Sequence, residues 1–583
     1  MLRCALHDNA PQYPIPSLTP WPYLCPTSRP PTLGGRHLHF ARVAESLARR
    51  ALAWLCRRPW AVAALTLAVA LPGLLLYLGR QPLLADEPIR ALVALEMHFS
   101  GRFFAPTLQG HPYYNKPPLF NWLLVALFRL TGRQDEWVVR LPTVAALLLY
   151  GGAIWRVLRP RLGSRLAFAV ALAFATTGRI LFYDSFLGLI DLWQAALTWL
   201  AFMAVWHLGQ RGHWARLFVL TYALTALGFL LKGLPSLVFQ GLALAVYFLD
   251  TRQWRRLFGW QHALGLLVLM GILGAYFFVY SRHNSLAIAL RTLWSQSSER
   301  TVAARPLADS VRYVLLFPFE NIGHFLPWTL LGAILFLKEA RQRVWQTPFL
   351  RYNALLFLAV LPVYWLSPAT IPRYLFMLVP LGLTVLIPLY AEFQPQRRWP
   401  TRGFDAGLLA VLGLAALAVG LAPWLPPTRG AAGNASEPVW GLSLSAVLVG
   451  LAYLFARLPA WRLPLLGYSL LVLRLAFDVF VFPARYRITP EVAYREAAIR
   501  VGRETRGRPL ALLPGAALDN DEAYYVARER GQTLTTDSLP PRPGHLYLAE
   551  VSQLRGRRYR VLDSFTIDRG MVLRVVEFGN NKP

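Results

Sequence analysis

The sequence predicts a polytopic α-helical membrane protein of about 13 transmembrane helices with a small C-terminal extracytoplasmic α/β domain. Three observations carry this. Hydrophobic residues make up 55% of the 583-residue chain and charged residues only 15%, with a mean hydropathy of +0.39, whereas a soluble globular chain carries about 25% charged residues. Apolar runs of roughly 20 residues, the length a bilayer requires, recur from about 59 to 482. Beyond 485 the pattern changes to short strands and amphipathic helices. This combination disfavours a cytosolic enzyme, a disordered polymer and a disulfide-stapled secreted domain. The three cysteines, Cys4, Cys25 and Cys56, all lie near the N-terminus and form no framework. The net charge of +30 does not indicate nucleic acid, because the arginines alternate with apolar runs, as in the anchored loops of a membrane protein.

Residues 1–50 are Pro-rich without a period and read as a disordered leader, without the apolar core of a signal peptide. Arg42, Arg49, Arg50, Arg57 and Arg58 precede the first apolar run and place the N-terminus in the cytoplasm. The expected transmembrane region, 51–484, holds spans near 59–79, 138–158, 164–183, 187–208, 215–232, 233–249, 262–281, 325–337, 353–367, 371–391, 404–424, 438–456 and 461–482. The stretch 118–130 is apolar but short and reads as an interfacial helix. With that choice the basic segments 156–165, 209–216, 251–256, 338–343 and 396–402 all fall on the cytoplasmic side, as the positive-inside tendency requires. Two large extracytoplasmic loops follow, 80–137 and 282–324, and the tail 485–583 lies outside. Within the tail, helices are expected at ITPEVAYREAAIRVGRETRG and DNDEAYYVARERG, and strands at PLALLP, HLYLAE, YRVLDSFTI and MVLRVVEF.

The first loop opens on Asp86-Glu87 and continues through Glu96, Arg102 and His111 to the run YYNKPP, 113–118. A carboxylate pair and a cation on one membrane-facing loop suit a hydroxyl acceptor and a phosphate leaving group, although the same residues could simply cap the first span in solvent. Asp184 and Asp191 lie at the hinge between two spans, where one of them could cap the next helix; near-membrane carboxylates are costly. Lys232-Gly233 forms another hinge, where a lysine can meet a phosphate or snorkel to the interface. The second loop is rich in arginine and includes Glu299, Arg300 and Arg305; guanidinium groups bind phosphate bidentately. Arg474 and Asp478 are spaced for a buried helical ion pair. No GxGxxG, Walker loop or zinc-type Cys/His spacing is present.

The segment ADEPIRALVALEMHFSGRFFAPTLQGHPYYNKPPLFNWLLVALFRLTG, followed by VVRLPT, resembles the first-loop signature of the GT-C membrane glycosyltransferases. It is most similar to the group of the protein O-mannosyltransferases and the lipid A aminoarabinose transferases. The resemblance is dense over about 80–145 and extends through the span pattern to about 390.

It implies a transferase that takes a sugar from a polyprenyl-phosphate donor on the extracytoplasmic face of a bacterial inner membrane, with inversion. The acceptor would be a hydroxyl or phosphate of a lipid, glycan or protein, and lipopolysaccharide modification of the cell envelope is one such role. By the resemblance Asp86 is the general base, Glu87 supports it, and Asp191 is favoured over Asp184 as the family's second aspartate. Lys116, Lys232, Arg373 and Arg305 are expected at the donor phosphate. Tyr114, Asn115, Asp184, Glu299 and Arg300 are candidate substrate contacts. The aminoarabinose transferases resemble Glu-Lys-Pro-Pro where this chain has Asn115, a poor substitute for a carboxylate ligand, so no cofactor and no essential metal are expected. A polyprenyl-linked sugar or lipid transporter is the alternative, disfavoured because no internal repeat is evident; a non-catalytic envelope scaffold is a third reading.

Overall fold

The structure, a computed structural model, describes residues 58–298, 307–367, 370–430, 436–537, 541–542, 544–567 and 570–579. The expected leader and Glu299, Arg300 and Arg305 lie outside these residues. The chain divides into two compact units at Thr66/Leu67. Of the first, the described part is the opening of the apolar helix α1, Pro59–Leu75. All that follows concerns the second.

Seven helical stretches among the described residues are long and apolar enough to cross a membrane: Glu136–Ala175, Trp214–Lys232, Trp260–Ser281, Pro348–Trp365, Trp399–Trp424, Glu437–Arg457 and Pro459–Ile488. Their outward faces are apolar. Leu267 is 67% exposed and Leu414 is also 67% exposed, a surface that lipid would cover. Several expected spans take other forms. The segment 138–158 and the first part of 164–183 lie in one helical stretch, α4, Glu136–Ala175, interrupted at Gly163, whose φ of 77° favours glycine; the remainder forms a separate short helix, Gly178–Phe182. The segment 325–337 is mostly a run of 3-10 turns, Trp328–Phe336. The segment 371–391 divides into a turn, Pro372–Leu375, and a helix, Leu378–Phe393.

Within the bundle, α6 (Asp191–Gly209), α7 (Trp214–Lys232) and α8 (Pro235–Asp250) pack on one another. They are joined by polar side chains. Gln194 Nε2 donates to Ser236 Oγ at 2.9 Å, and Gln240 Nε2 donates to Thr221 Oγ1 at 2.8 Å. Between helices with little hydrophobic force to join them in lipid, such bonds and close small-residue packing supply the adhesion.

The segment 80–137 is not an open loop. It folds as α2 (Glu87–Ser100), a hairpin of β1 (Thr107–Leu108) and β2 (His111–Pro112), and α3 (Leu119–Thr131). Likewise 282–324 contains helices Leu286–Ser298 and Leu307–His324. The C-terminal segment holds helices α19 (Glu491–Glu504) and α20 (Asn520–Arg530) and a five-stranded sheet. The strands are β3 (Leu510–Leu512), β4 (Thr535–Thr536), β5 (Leu546–Glu550), β6 (Tyr559–Thr566) and β7 (Val572–Phe578), in the order β4-β3-β5-β7-β6. The first three are mutually parallel, with Leu512 opposite Leu548, and β7 runs antiparallel to both β5 and β6. The sheet's Leu512, Leu548 and Val575 share one core with Tyr524 and Val526 of α20 and with Val93, Leu124 and Phe128 of α2 and α3. The C-terminal segment is therefore welded to segment 80–137 by buried apolar surface.

The hairpin tip completes that junction. Gln109 and Gly110 both have positive φ, 52° and 77°, the geometry of a tight two-residue hairpin turn. Gln109 Nε2 donates to the Leu518 carbonyl at 2.9 Å. A Cβ on Gly110 would stand 2.8 Å from Thr535 Cγ2. Gly110→Ala is expected to cost about 1–2 kcal/mol through the left-handed backbone alone, and to lower the thermal midpoint in detergent. An unchanged midpoint would show that the tip does not bear on β4.

Candidate functional site

Four chain segments converge on one charged cluster. Asp86 sits at the start of α2, behind Ala85, whose φ of 57° is the strained left-handed conformation. Its carboxylate makes no cap to its own helix and instead pairs with Arg373 Nη2. Arg373 comes from the turn Pro372–Leu375, and its Nε lies 3.3 Å from Asp191 Oδ2. Asp191 opens α6, and its other oxygen accepts from Lys232 Nζ at 2.5 Å. Lys232 closes α7 and also lies 3.6 Å from the centre of the Tyr374 ring, a cation–π contact. Lys116 is within electrostatic reach of Asp191. Three cations, Lys116, Lys232 and Arg373, thus surround two carboxylates, an excess of one positive charge that suits an anion.

Exposure separates the two aspartates. The Asp86 side chain is 51% exposed, whereas Asp191 is 6% and Lys232 9%. Asp191 is enclosed between two cations and can orient them; Asp86 is the carboxylate that a ligand can reach.

Asp184 makes an ion pair of its own but lies within electrostatic reach of Asp191 and Arg373. It pairs with Arg179 Nε at 2.6 Å, and that guanidinium stacks 4.0 Å from the centre of the Tyr183 ring. Burial pushes the Asp184 carboxyl up to about 6 against the opposing pull of Arg179. The turn that carries it is fastened from the last apolar helix. Arg474 donates to the Leu181 carbonyl and to Ser185 Oγ, the latter at 2.7 Å, while its Nε meets Asp478 at 3.0 Å. The i,i+4 pair expected from sequence is therefore present and structural.

Glu87 is fully buried and wholly engaged. Arg140 grips it with two bonds, Nε to Oε1 at 2.8 Å and Nη2 to Oε2 at 3.0 Å. The Gly188 and Leu84 amides donate to the same carboxylate at 2.5 and 2.9 Å. Glu87 thus braces the turn beneath Asp86 and faces no ligand. Tyr114 packs beside Leu230, Tyr276 and Tyr280, and Asn115 is exposed. Glu96 is buried in α2, where it accepts from Thr107 Oγ1 at 2.5 Å and from the Gly110 amide at 3.3 Å; burial nonetheless holds its pKa above the ordinary value. Among the described residues, no group of three His, Cys, Asp or Glu side chains is placed to hold a metal ion.

Reading the residues alone gave no role to Arg140 or Tyr374. An arginine one turn inside an apolar helix was the available signal for the first, because such a charge demands a partner. Tyr374 had no comparable signal.

Comparison with known proteins bears on this cluster. The family model described as dolichyl-phosphate-mannose-protein mannosyltransferase matches residues 115–278, a stretch that includes Lys116, Asp191 and Lys232. Two undecaprenyl phosphate-alpha-4-amino-4-deoxy-L-arabinose arabinosyl transferases are similar along most of the chain. That of Pseudomonas aeruginosa is 27% identical over 399 residues, 66% of this chain and 68% of its own. That of Pseudomonas fluorescens is 26% identical over 438 residues, 71% and 72%. The crystal structure of ArnT from Cupriavidus metallidurans bound to undecaprenyl phosphate shares the fold, with a TM-score of 0.66 at 19% identity, covering 89% of this chain and 98% of that one. Its apo state gives a TM-score of 0.64 at 20% identity, with the same coverage. The chain is thus similar in sequence, over about two thirds of its length, to lipid-linked aminoarabinose transferases, and it shares the ArnT fold.

Proposed function

We propose that the protein transfers a sugar from a polyprenyl-phosphate donor to a hydroxyl or phosphate acceptor at the extracytoplasmic face of a bacterial inner membrane. The observation that carries this is the Arg373 guanidinium shared between exposed Asp86 and buried Asp191, with Lys232 on the far side of Asp191. A donor phosphate competes with Asp86 for Arg373. As it binds, Arg373 and Lys232 take its charge and Asp86 is released to act as base. The acceptor oxygen then attacks the anomeric carbon from the face opposite the phosphate, and its proton passes to Asp86. The bond from that carbon to the phosphate oxygen breaks, and the electron pair leaves with polyprenyl phosphate, so configuration inverts. Asp191 keeps Arg373 and Lys232 in place throughout. Asp184 with Arg179 shapes the neighbouring turn, and Lys116 adds charge on the donor side.

The activity of these relatives supports a lipid-linked aminoarabinose among the donors to be tried first. The test is transfer from a panel of radiolabelled polyprenyl-phosphate sugars, in nanodiscs, with envelope extract as acceptor. Transfer from one donor supports the reading. No transfer combined with flipping of the sugar lipid in liposomes would overturn it in favour of a transporter. Arg373→Lys keeps the charge but loses the fork that reaches two partners, and is expected to lower the transfer rate by about 10². A rate equal to wild type would remove Arg373 from the phosphate site.

A further inference from the structure

The short stretch before Asp86 is held from the C-terminal segment as well as from the bundle. Tyr525 of α20, fully buried, accepts from the Leu83 amide at 2.9 Å. Arg495 of α19 donates to the Arg80 carbonyl at 2.9 Å and to Glu136 at 3.1 Å. Arg528 of α20 reaches the second oxygen of Glu136 at 3.4 Å. Glu136 lies one helical turn before Arg140, which donates to the carbonyls of Leu78, Gln81 and Pro82 and grips Glu87. The backbone from Leu78 to Glu87 thus has its polar groups claimed from two sides. The strained Ala85, with Asp86 behind it, lies between those anchors.

We infer that the C-terminal segment is a positioning element of the site, with Tyr525 and Arg495 fixing the backbone at Arg80–Leu83 so that Asp86 is presented to the acceptor. Neither residue touches a substrate; both act through the chain that carries the base. A bond of this kind matters because a reacting group misplaced by about 1 Å can cost about 10² in rate. The inference deepens the proposed function and rests on Asp86 being the base, so the experiment keeps the two apart.

Tyr525→Phe in the full-length protein in nanodiscs keeps the ring in its core and removes only the acceptor. Amide hydrogen exchange across residues 80–86 needs no activity. It is expected to speed up by about tenfold, the equivalent of one buried hydrogen bond. Transfer is expected to show kcat lowered by about tenfold with KM for the donor and the affinity for undecaprenyl phosphate unchanged. Arg495→Gln should reproduce the exchange effect at Arg80. Unchanged exchange in both variants would overturn the inference. Faster exchange with wild-type kcat would also overturn it and leave the contact as stabilisation alone. Full transfer by Asp86→Asn would defeat the general-base reading separately, whatever Tyr525→Phe shows.

Discussion

Arg140→Met is expected to be the most destabilising single substitution in the segment around the site. The side chain is 1% exposed, and its five N–H groups make five bonds, two to Glu87 and three to the carbonyls of Leu78, Gln81 and Pro82. Methionine would fill much of the volume but strand a buried carboxylate and three carbonyls. Breaking a buried pair from one side costs about 3–5 kcal/mol, a large share of a typical domain's stability of about 5–15 kcal/mol. The expected result is a sharp fall in the detergent-stable fraction after heating, followed by size exclusion. Arg140→Lys should fall between, since a lysine offers three donors on one atom and cannot bridge both Glu87 oxygens and three carbonyls. Glu87→Gln with Arg140→Met should recover part of the loss, because the stranded charge is gone. If Arg140→Met melted like wild type, the clamp would not hold the turn, and Glu87 would be free for another role.

That clamp also shows what a sequence can and cannot disclose here. The polytopic character was legible because bilayer length and apolar composition are one-dimensional properties. The strands β3 and β5 were legible as short apolar runs, β6 and β7 from their β-branched residues, and the two C-terminal helices from their period. β4 was not, because Thr535-Thr536 is too short to carry a pattern and is a strand only by pairing with β3. The helix expected at 118–130 is present as α3, Leu119–Thr131, but the rest of segment 80–137 read as a loop because α2 carries Glu87, Arg90 and Glu96, all of which lie buried in the structure. Their partners are far away in the chain: Arg140 for Glu87 and the hairpin for Glu96. The same distance in sequence hid the chain of pairs from Asp86 through Arg373 and Asp191 to Lys232, whose members come from four separate segments. Asp86, Asp191 and Lys232 were candidates on residue type and place, and Arg373 by the family resemblance; only the fold shows that Arg373 is shared and that Asp184 belongs to a different pair.

Asp86→Asn is expected to abolish most transfer while leaving the protein folded, and this contrast is its diagnostic value. The substitution keeps the shape of the side chain and removes its basicity. Loss of a positioned general base lowers rate by about 10²–10⁴. The ion pair with Arg373 is lost as well, but Asp86 is half exposed and the buried Arg373 keeps Asp191 as its partner. The thermal midpoint should therefore move little, and undecaprenyl phosphate should bind at least as well, since Arg373 no longer has Asp86 as a competitor. Asp191→Asn should behave differently. It strips the shared partner from two buried cations, Lys232 and Arg373, so stability and transfer should fall together. Asp86→Glu separates base from mere charge: the carboxylate survives but its reach changes, and partial transfer is expected if proton abstraction is its task. Transfer by Asp86→Asn at the wild-type rate, in a protein that melts normally, would show that the exposed carboxylate only balances Arg373, and the base would have to be sought elsewhere in the cluster.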